Sequence, residues 1–331
     1  MDTNQTPTDP DALLRLVESV KELYQQPPPA PLKPGKKRDF SALSFLLLAC
    51  VAVTLRTFRD SELHRLLSKD LRLRQALGFC RVPHRTLIGR RMTNLVAEAE
   101  QQIALLGQRL ITEVKVPAEQ SQVSALDGRM YQAQGPKWHK KDRQRGVVPL
   151  GLRNVDTDTT WSKSGYRGWV QGFRLLLQGL AFPQPVPVFA IWRRNCDNEA
   201  VLAKAALQAG RLAVTDVLLG DESFGKGDFP HLYAEAGGWV LAPQQLPKRR
   251  RSWKNDLYGY RKESIELLFQ RLIQASDLKG CRVKGEGRNG ALVLASVWLY
   301  QICYLRNYRE GKSLGHIKEH FDDARWRISS G

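Results

Sequence analysis

A change of hydrophobic periodicity near residue 118 constrains the fold more than any other feature of the sequence. Residues 41–112 carry apolar side chains at helical spacing, whereas short apolar runs begin near residue 122 and then alternate with helical segments. Strands followed by alternating strands and helices predict an α/β domain with a mixed sheet flanked by helices, preceded by an all-helical domain. The predicted strands are 122–127, 161–165, 169–177, 186–192, 217–221 and 239–242.

This pattern predicts four regions. Residues 1–40 form a basic, proline-rich tail and linker, with a short helix from about Asp11 to Tyr24. Residues 41–117 form a helical domain, residues 118–310 form the α/β domain, and residues 311–331 form a C-terminal tail.

The charge of the chain predicts its class of partner. The sequence of 331 residues has 51 Lys and Arg against 33 Asp and Glu, a net charge of +18. Such an excess attracts polyanions, and nucleic acid is the first candidate. An anionic membrane surface is the runner-up, but no long basic amphipathic helix stands out, so a membrane partner is not expected. No apolar run approaches the ~18 residues of a spanning helix. Five scattered cysteines without a CxxC pair, and an N-terminus without a secretory signal, predict a cytoplasmic protein.

One segment of the helical region has the pattern of a DNA-reading helix. Pro83 stands at the start of a helix that carries Arg85, Arg90 and Arg91 on its polar side. This resembles the recognition helix of a helix-turn-helix motif. The alternative is a solvated basic face on an ordinary helical bundle.

Two basic loops, 137–145 and 248–254, each contain a tryptophan. Their lysines and arginines would neutralise DNA phosphates, and their tryptophans would stack on an unpaired base. Solvated loops whose tryptophans pack inward are the alternative. The predicted DNA contacts in and after these loops are Trp138, Lys140, Lys141, Arg143, Lys248, Arg249, Arg250, Arg251, Trp253, Arg261 and Lys262.

Three carboxylates stand where catalytic groups are expected. Asp127 and Asp221 each end an apolar run, and functional groups of such sheets gather outside the strand ends. Glu266 lies beside the apolar stripe of a predicted helix, where a carboxylate is costly unless a cation partners it. Carboxylate oxygens are the ligands that Mg²⁺ prefers, and a pair of such ions supports phosphodiester chemistry.

Each carboxylate also has a structural interpretation. Asp127 precedes Gly128, as in a common Asp-Gly turn. Asp221 could cap a turn, and the adjacent Glu222 is then the alternative catalytic carboxylate. Glu266 could pair with Lys262 on the helix surface. Glu263, one helical turn earlier, is the alternative catalytic glutamate. The ordered occurrence of all three in a basic chain favours catalysis.

The segments around these carboxylates resemble the DDE transposases of bacterial insertion sequences. The resemblance covers about residues 40–325, and its main motifs are Ala125-Leu-Asp127-Gly, Val217-Leu-Leu-Gly-Asp221-Glu-Ser-Phe and Arg261-Lys-Glu-Ser-Ile-Glu266-Leu-Leu-Phe. A related subgroup has the signature Tyr-x2-Arg-x3-Glu-x6-Lys. Here Lys262 precedes Glu266 by four residues, Tyr258 and Tyr260 are out of step, and Ile273 stands in place of the lysine.

The resemblance implies a ribonuclease H-like core in which Asp127, Asp221 and Glu266 hold two Mg²⁺ ions, which Mn²⁺ could replace. It implies cleavage of element ends and joining of the 3′-hydroxyl to target DNA, by a homodimer or higher oligomer associated with the bacterial nucleoid. A nuclease with the same core and a catalytically silent, domesticated DNA-binding protein are the alternatives. The silent binder is favoured if the three carboxylates lie far apart.

Overall fold

The computed structural model describes residues 11–26, 40–115, 122–165, 167–248 and 252–329. The predicted mixed sheet flanked by helices, with a helical N-terminal region, is confirmed. The predicted proline-rich linker and Arg249, Arg250 and Arg251 lie outside the described residues. Within the described ranges, no helix combines the length and the apolar character that crossing a membrane requires.

The N-terminal region consists of helices packed around one apolar helix, α2. This helix is apolar on every side, which is typical of a helix buried all round. It contacts α1, α5 and the long C-terminal helix α12. The helices are α1 (Ala12–Leu23), α2 (Ala42–Thr54), α3 (Asp60–Lys69), α4 (Leu71–Ala76), α5 (Arg85–Thr93) and α6 (Val96–Glu113).

The helix predicted near the N-terminus is α1, and it docks on the body of the same chain. Leu13, Leu16, Val17, Val20 and Leu23 recur at helical spacing and are all buried. They enter the core that α2 and α12 share, so the apolar stripe of this helix is covered within one molecule.

The sheet has β1 near its centre, between an antiparallel and a parallel neighbour. β1 pairs antiparallel with β3, and β3 pairs antiparallel with β2 and β4 along different parts of its length. On the other side β1 pairs in parallel with β5, and β5 pairs in parallel with β6. The strands are β1 (Val123–Gln132), β2 (Thr160–Ser164), β3 (Gly168–Leu180), β4 (Val186–Arg194), β5 (Val217–Leu219) and β6 (Trp239–Leu241).

Helices cover both faces of this sheet. One face packs on α6, α11 and α12 in a core that continues into the N-terminal helices, and α8 and α9 cover the other. Gly107 lets α6 approach β4, since a Cβ there would lie 1.9 Å from the carbonyl oxygen of Val188. The helices after β1 are α7 (Lys140–Gln144), α8 (Glu199–Gln208), α9 (Phe229–Glu235), α10 (Trp253–Arg261), α11 (Leu267–Ser276), α12 (Glu286–Arg309) and α13 (Ile317–Ser329).

Two helical segments differ from the sequence prediction. The helix predicted around Glu266 is interrupted by a π-helical turn at Lys262–Glu266, between α10 and α11. The segment predicted as a C-terminal tail contains α13, which packs against α1 and α11. The buried Ile317, Phe321 and Ala324 of α13 explain that packing, because they recur at helical spacing.

Candidate metal centre

Asp127 lies at an open corner of the sheet. β5 pairs with β1 only from Val123 to Ala125, so β1 continues past the end of its parallel neighbour. Asp127 accepts a hydrogen bond from the backbone N–H of Gly128 at 2.9 Å, and its other oxygen lies 2.9 Å from an Arg261 guanidinium nitrogen. The carboxylate is therefore half-buried and already paired with a cation.

Asp221 follows β5 by two residues and reaches the same corner. Its Oδ1 accepts hydrogen bonds from the backbone N–H of Ser223 at 2.8 Å and from the Ser223 hydroxyl at 2.6 Å. These bonds form the turn that the structural interpretation predicted. They hold the Asp221 side chain in place through its Oδ1, which is hydrogen-bonded within the turn.

The third carboxylate at this corner is Glu199, which the sequence analysis did not select. It is the first residue of α8, whose N-cap Asn198 accepts hydrogen bonds from the backbone N–H groups of Ala200 and Val201. A negative charge is favoured at this end of a helix. The carboxylate lies 3.0 Å from a guanidinium nitrogen of the buried Arg174 on β3.

Asp127, Glu199 and Asp221 each offer one carboxylate oxygen, and these three oxygens lie within 4.8 Å of one another. Burial raises the pKa of Asp127 above its usual range, with further increases from Asp221 and Glu266, although Arg261 opposes the shift. Burial also raises the pKa of Glu199 to about 7, against the opposing charge of Arg174. Converging hard oxygens whose negative charges repel one another are a donor set that suits a divalent cation.

The predicted third ligand, Glu266, is not one of these converging carboxylates. Its side chain is exposed, and its charge is the weakest of the influences that raise the pKa of Asp127. It lies five residues after Arg261, across the π turn. Because π-helical hydrogen bonds join residues five apart, Glu266 follows Arg261 by about one turn of this segment.

Tyr258 and Arg261 connect α10 to the carboxylates. The Tyr258 hydroxyl donates a hydrogen bond to the carbonyl oxygen of Gly220 at 3.0 Å, and Gly220 directly precedes Asp221. Arg261 forms the ion pair with Asp127, so this arginine, predicted to contact DNA, is occupied by a carboxylate in the structure. One helix thus contacts both aspartate-bearing segments.

The three arginines predicted to read DNA on α5 are placed differently. Arg85 and Arg90 are exposed. Arg91 instead folds back, donating to the carbonyl oxygen of Phe40 at 3.3 Å and lying 5.2 Å from the centre of the Phe45 ring. Its structural role is to join α5 to the N-terminal core.

The prediction that Trp138 stacks on DNA is wrong. Its side chain is 7% exposed, and its indole N–H donates to the carbonyl oxygen of Val147 at 2.9 Å. Trp253 fits the prediction better, since it is 64% exposed beside Trp239, with the Lys254 ammonium over both rings. The loop tryptophans therefore divide into one that packs inward and one that faces solvent.

The remaining predicted DNA contacts occupy the protein surface. Lys141, Lys248 and Lys262 are exposed, and Arg143 is half-buried on α7. The side chain of Lys140 lies outside the described residues. In the sequence, Lys141 and Arg143 precede β2, Lys248 precedes α10, and Lys262 directly follows α10.

We expect Gly128→Ala to weaken metal binding without unfolding the protein. A Cβ at residue 128 would lie 2.3 Å from Oε1 of Glu199, so the flexible carboxylate must move away from Asp127. Displacement of the Glu199 carboxylate should lower the Mn²⁺ affinity about 10- to 100-fold in a calorimetric titration.

Gly151→Ala is the matched control, because a Cβ there meets nothing within 4 Å. Equal Mn²⁺ affinity in Gly128→Ala, Gly151→Ala and the wild type would contradict a ligand role for Glu199.

Comparisons with protein-family models, with curated proteins and with solved structures gave no significant match.

Proposed function

We propose that the protein is a metal-dependent DNA transposase with a ribonuclease H-like core. The observation that carries the proposal is the convergence of Asp127, Glu199 and Asp221 in a chain of net charge +18. Acidic residues are fewer in this chain than basic ones, and three of them meet where β5 ends beside the middle of β1. A cluster of that kind is suited to cations that bind DNA phosphates.

The arrangement of the strands supports the fold assignment. Asp127 and Asp221 come from adjacent parallel strands, with α8 in the connection that crosses over between them. The helix that carries Glu266 packs against β1 and β3. The resemblance predicted these elements in this order, with the first aspartate at the end of the first strand, whereas Asp127 lies within β1.

Asp127, Glu199 and Asp221 are the residues that would hold the ions. Bound divalent ions supply an activated water or 3′-hydroxyl and stabilise the leaving oxygen of a phosphodiester. Arg261 and Arg174 neutralise two of the carboxylates and hold their side chains in place. Tyr258 fixes the backbone next to Asp221, so the spacing between the ligands is set by α10 as well as by the sheet.

The π turn offers an explanation for the departure from the transposase signature. Tyr258 and Arg261 have the Tyr-x2-Arg spacing, and Glu266 follows Arg261 after four residues instead of three. The π turn accommodates one additional residue, since each of its turns is wider than an α-helical turn. We therefore retain Glu266 as a fourth carboxylate near the site, which acts on Asp127 through its charge.

The ion pairs favour a second candidate, a catalytically silent DNA-binding protein. Arg261 pairs with Asp127 and Arg174 pairs with Glu199, so two of the carboxylates have cationic partners without any metal. Nicking of supercoiled plasmid separates the two candidates. The transposase proposal expects nicking with Mg²⁺ or Mn²⁺ and none with EDTA, whereas the silent binder retains DNA without cutting it in either condition.

Strand transfer is the step that distinguishes a transposase from a nuclease with the same core. Joining of a labelled 3′-hydroxyl oligonucleotide to plasmid supports the transposase, and nicking without joining supports the nuclease. Because two element ends must be handled together, the transposase is proposed to act at least as a dimer.

Neutralising the basic loop before α10 should weaken binding to DNA of any sequence. Replacing Lys248, Arg249, Arg250 and Arg251 with glutamine removes cations that are predicted to contact phosphates. The plot of log affinity against log salt should flatten by about one unit for each phosphate that the loop no longer neutralises. Fluorescence anisotropy with a random-sequence duplex measures this slope, and an unchanged slope would exclude the loop from the DNA-binding surface.

A further inference from the structure

The position of Asp221 depends on β5, which is a very short strand. It consists of Val217, Leu218 and Leu219, whereas strands usually have about five or six residues. It pairs with three residues of β1 on one side and with three of β6 on the other. Asp221 follows soon after its end, so a shift of β5 along β1 would move this carboxylate by about 3.3 Å per residue.

The apolar side chains of β5 do not select its register. All three are buried, so both faces of the strand are apolar. The hydrophobic pattern defines a register where one face of a strand is buried and the other is polar. A one-residue shift exchanges the two faces, which in β5 replaces apolar side chains by apolar ones. The observed register, with Val217 opposite Val123, therefore needs another interaction to select it.

A fully buried glutamine on β3, Gln178, holds the segment that leads into β5. Its amide nitrogen donates to the carbonyl oxygen of Ala213 at 2.8 Å, and its amide oxygen accepts from the backbone N–H of the same residue at 3.0 Å. The side chain thus exchanges two hydrogen bonds with one residue, as two opposed residues of antiparallel strands do. This pairing fixes the backbone shortly before β5 begins.

The same amide starts a chain of hydrogen bonds that crosses from β3 to β5. Its nitrogen also donates to the hydroxyl of Ser124 on β1 at 3.0 Å, and that hydroxyl lies 2.7 Å from the hydroxyl of Thr215. The Thr215 hydroxyl donates to the carbonyl oxygen of Val217 at 3.1 Å. A hydroxyl has one proton to donate, so Ser124 is the donor to Thr215 and the chain runs in one direction.

Tyr233 of α9 holds the same segment through its hydroxyl. The side chain is fully buried, and its oxygen accepts a hydrogen bond from the backbone N–H of Thr215 at 2.8 Å. The hydroxyl donates to the carbonyl oxygen of Ala213 at 3.3 Å. Another register of β5 would leave buried polar groups of this network without partners, which is costly. The network therefore does what the apolar side chains do not, and selects one register.

We propose that Gln178 is a positioning residue for the metal centre, which acts through Ser124 and Thr215 to set the register of β5 and so the distance between Asp221 and Asp127. Gln178 stands opposite Leu126, the neighbour of Asp127, so one residue of β3 connects both aspartate-bearing strands. The inference rests on the proposed function, because it takes these aspartates to hold the metal. It adds that their spacing is set by uncharged groups in the core of the sheet.

The test is Gln178→Leu, which keeps the approximate size of the side chain and removes its hydrogen bonds. Amide hydrogen exchange in EDTA, followed by mass spectrometry, should become about 5- to 10-fold faster in β5, because the entry to this strand is no longer held. Exchange in α2 of the N-terminal region should increase less. The Mn²⁺ affinity, measured by calorimetric titration well below the melting temperature, should fall about 10- to 100-fold.

Gln301→Leu is the matched control. Gln301 is also a fully buried glutamine, and its amide nitrogen donates to the backbone carbonyl oxygens of Ile103 and Pro187. Its variant should lose stability as Gln178→Leu does, yet keep the Mn²⁺ affinity of the wild type. If Gln178→Leu does not fold, Ser124→Ala replaces it, because this milder change removes the middle of the hydrogen-bond chain and should shift both measurements in the same direction.

The proposal is overturned if exchange in β5 rises no more than exchange in α2, or if Gln178→Leu and Gln301→Leu lose Mn²⁺ affinity equally. Faster exchange in β5 with the Mn²⁺ affinity of the wild type would also overturn it, because Gln178 would then only stabilise the fold. Failure of the wild type to bind Mn²⁺ would overturn the proposed function, and the exchange of β5 would still decide whether Gln178 holds this strand.

Discussion

Asp127→Asn and Asp221→Asn are each expected to lower Mg²⁺-dependent nicking of supercoiled plasmid by at least about 1,000-fold. Such a loss corresponds to about 4 kcal/mol of transition-state stabilisation, which is a reasonable share for a ligand that positions a catalytic ion. Both variants should still bind DNA, since asparagine keeps the size of the side chain and the surface cations are unchanged. The measurement is the initial nicking rate with Mg²⁺, with EDTA as the blank.

Asp228→Asn is the control for these two substitutions. Asp228 is an exposed aspartate at the start of α9 that pairs with Lys204, and it is not one of the three converging carboxylates. Its variant should nick at the wild-type rate. Wild-type activity in Asp127→Asn or Asp221→Asn would show that the altered residue is not a metal ligand.

Glu199→Gln should weaken Mn²⁺ binding and also reduce the pH dependence of stability in EDTA. The pKa of Glu199 is raised to about 7 in the folded protein, mainly by burial. The folded state therefore holds this proton more tightly than the unfolded state, and the free energy of unfolding falls as pH rises from about 4.5 to about 7. The loss from this one group is at most on the order of 3 kcal/mol.

Thermal unfolding between pH 5 and pH 8 measures that slope. The melting temperature of the wild type should fall with rising pH, and that of Glu199→Gln should fall less. Identical slopes in the two proteins would contradict the burial and repulsion described for Glu199.

Glu266→Gln provides the comparison between the two candidate third ligands. Glu266 is exposed and acts on Asp127 only through its charge, so its variant should keep Mn²⁺ affinity closer to that of the wild type than Glu199→Gln does. The opposite order would assign the third ligand to Glu266, as the resemblance to transposases predicted.

Local patterns were sufficient to predict the main elements of the fold. The apolar runs that end in Asp127 and Asp221 are short and bounded by polar residues, and both form the strands that bring these aspartates together. The apolar stripe of α1 was equally visible. Such patterns are local, because burial of one face of a helix or strand imposes its own periodicity.

The features that sequence analysis missed depend on contacts between distant segments. Glu199 follows an N-cap asparagine and has the pattern of an ordinary helix start, and only the packing of α8 beside Gly128 brings it to the aspartates. The π turn before Glu266 leaves no mark on hydrophobic spacing. Trp138 and Trp169 lie near one another in the sequence, yet tertiary packing buries the first and exposes the second.

Uptake of Mn²⁺ by the protein, followed as loss of the free-ion signal in electron paramagnetic resonance, tests the metal centre most directly. The comparison is between the wild type and a variant that combines Asp127→Asn, Glu199→Gln and Asp221→Asn. The wild type should remove Mn²⁺ from solution, and the triple variant should leave the free-ion signal unchanged. Equal uptake by the two proteins would show that these three carboxylates do not form a metal site.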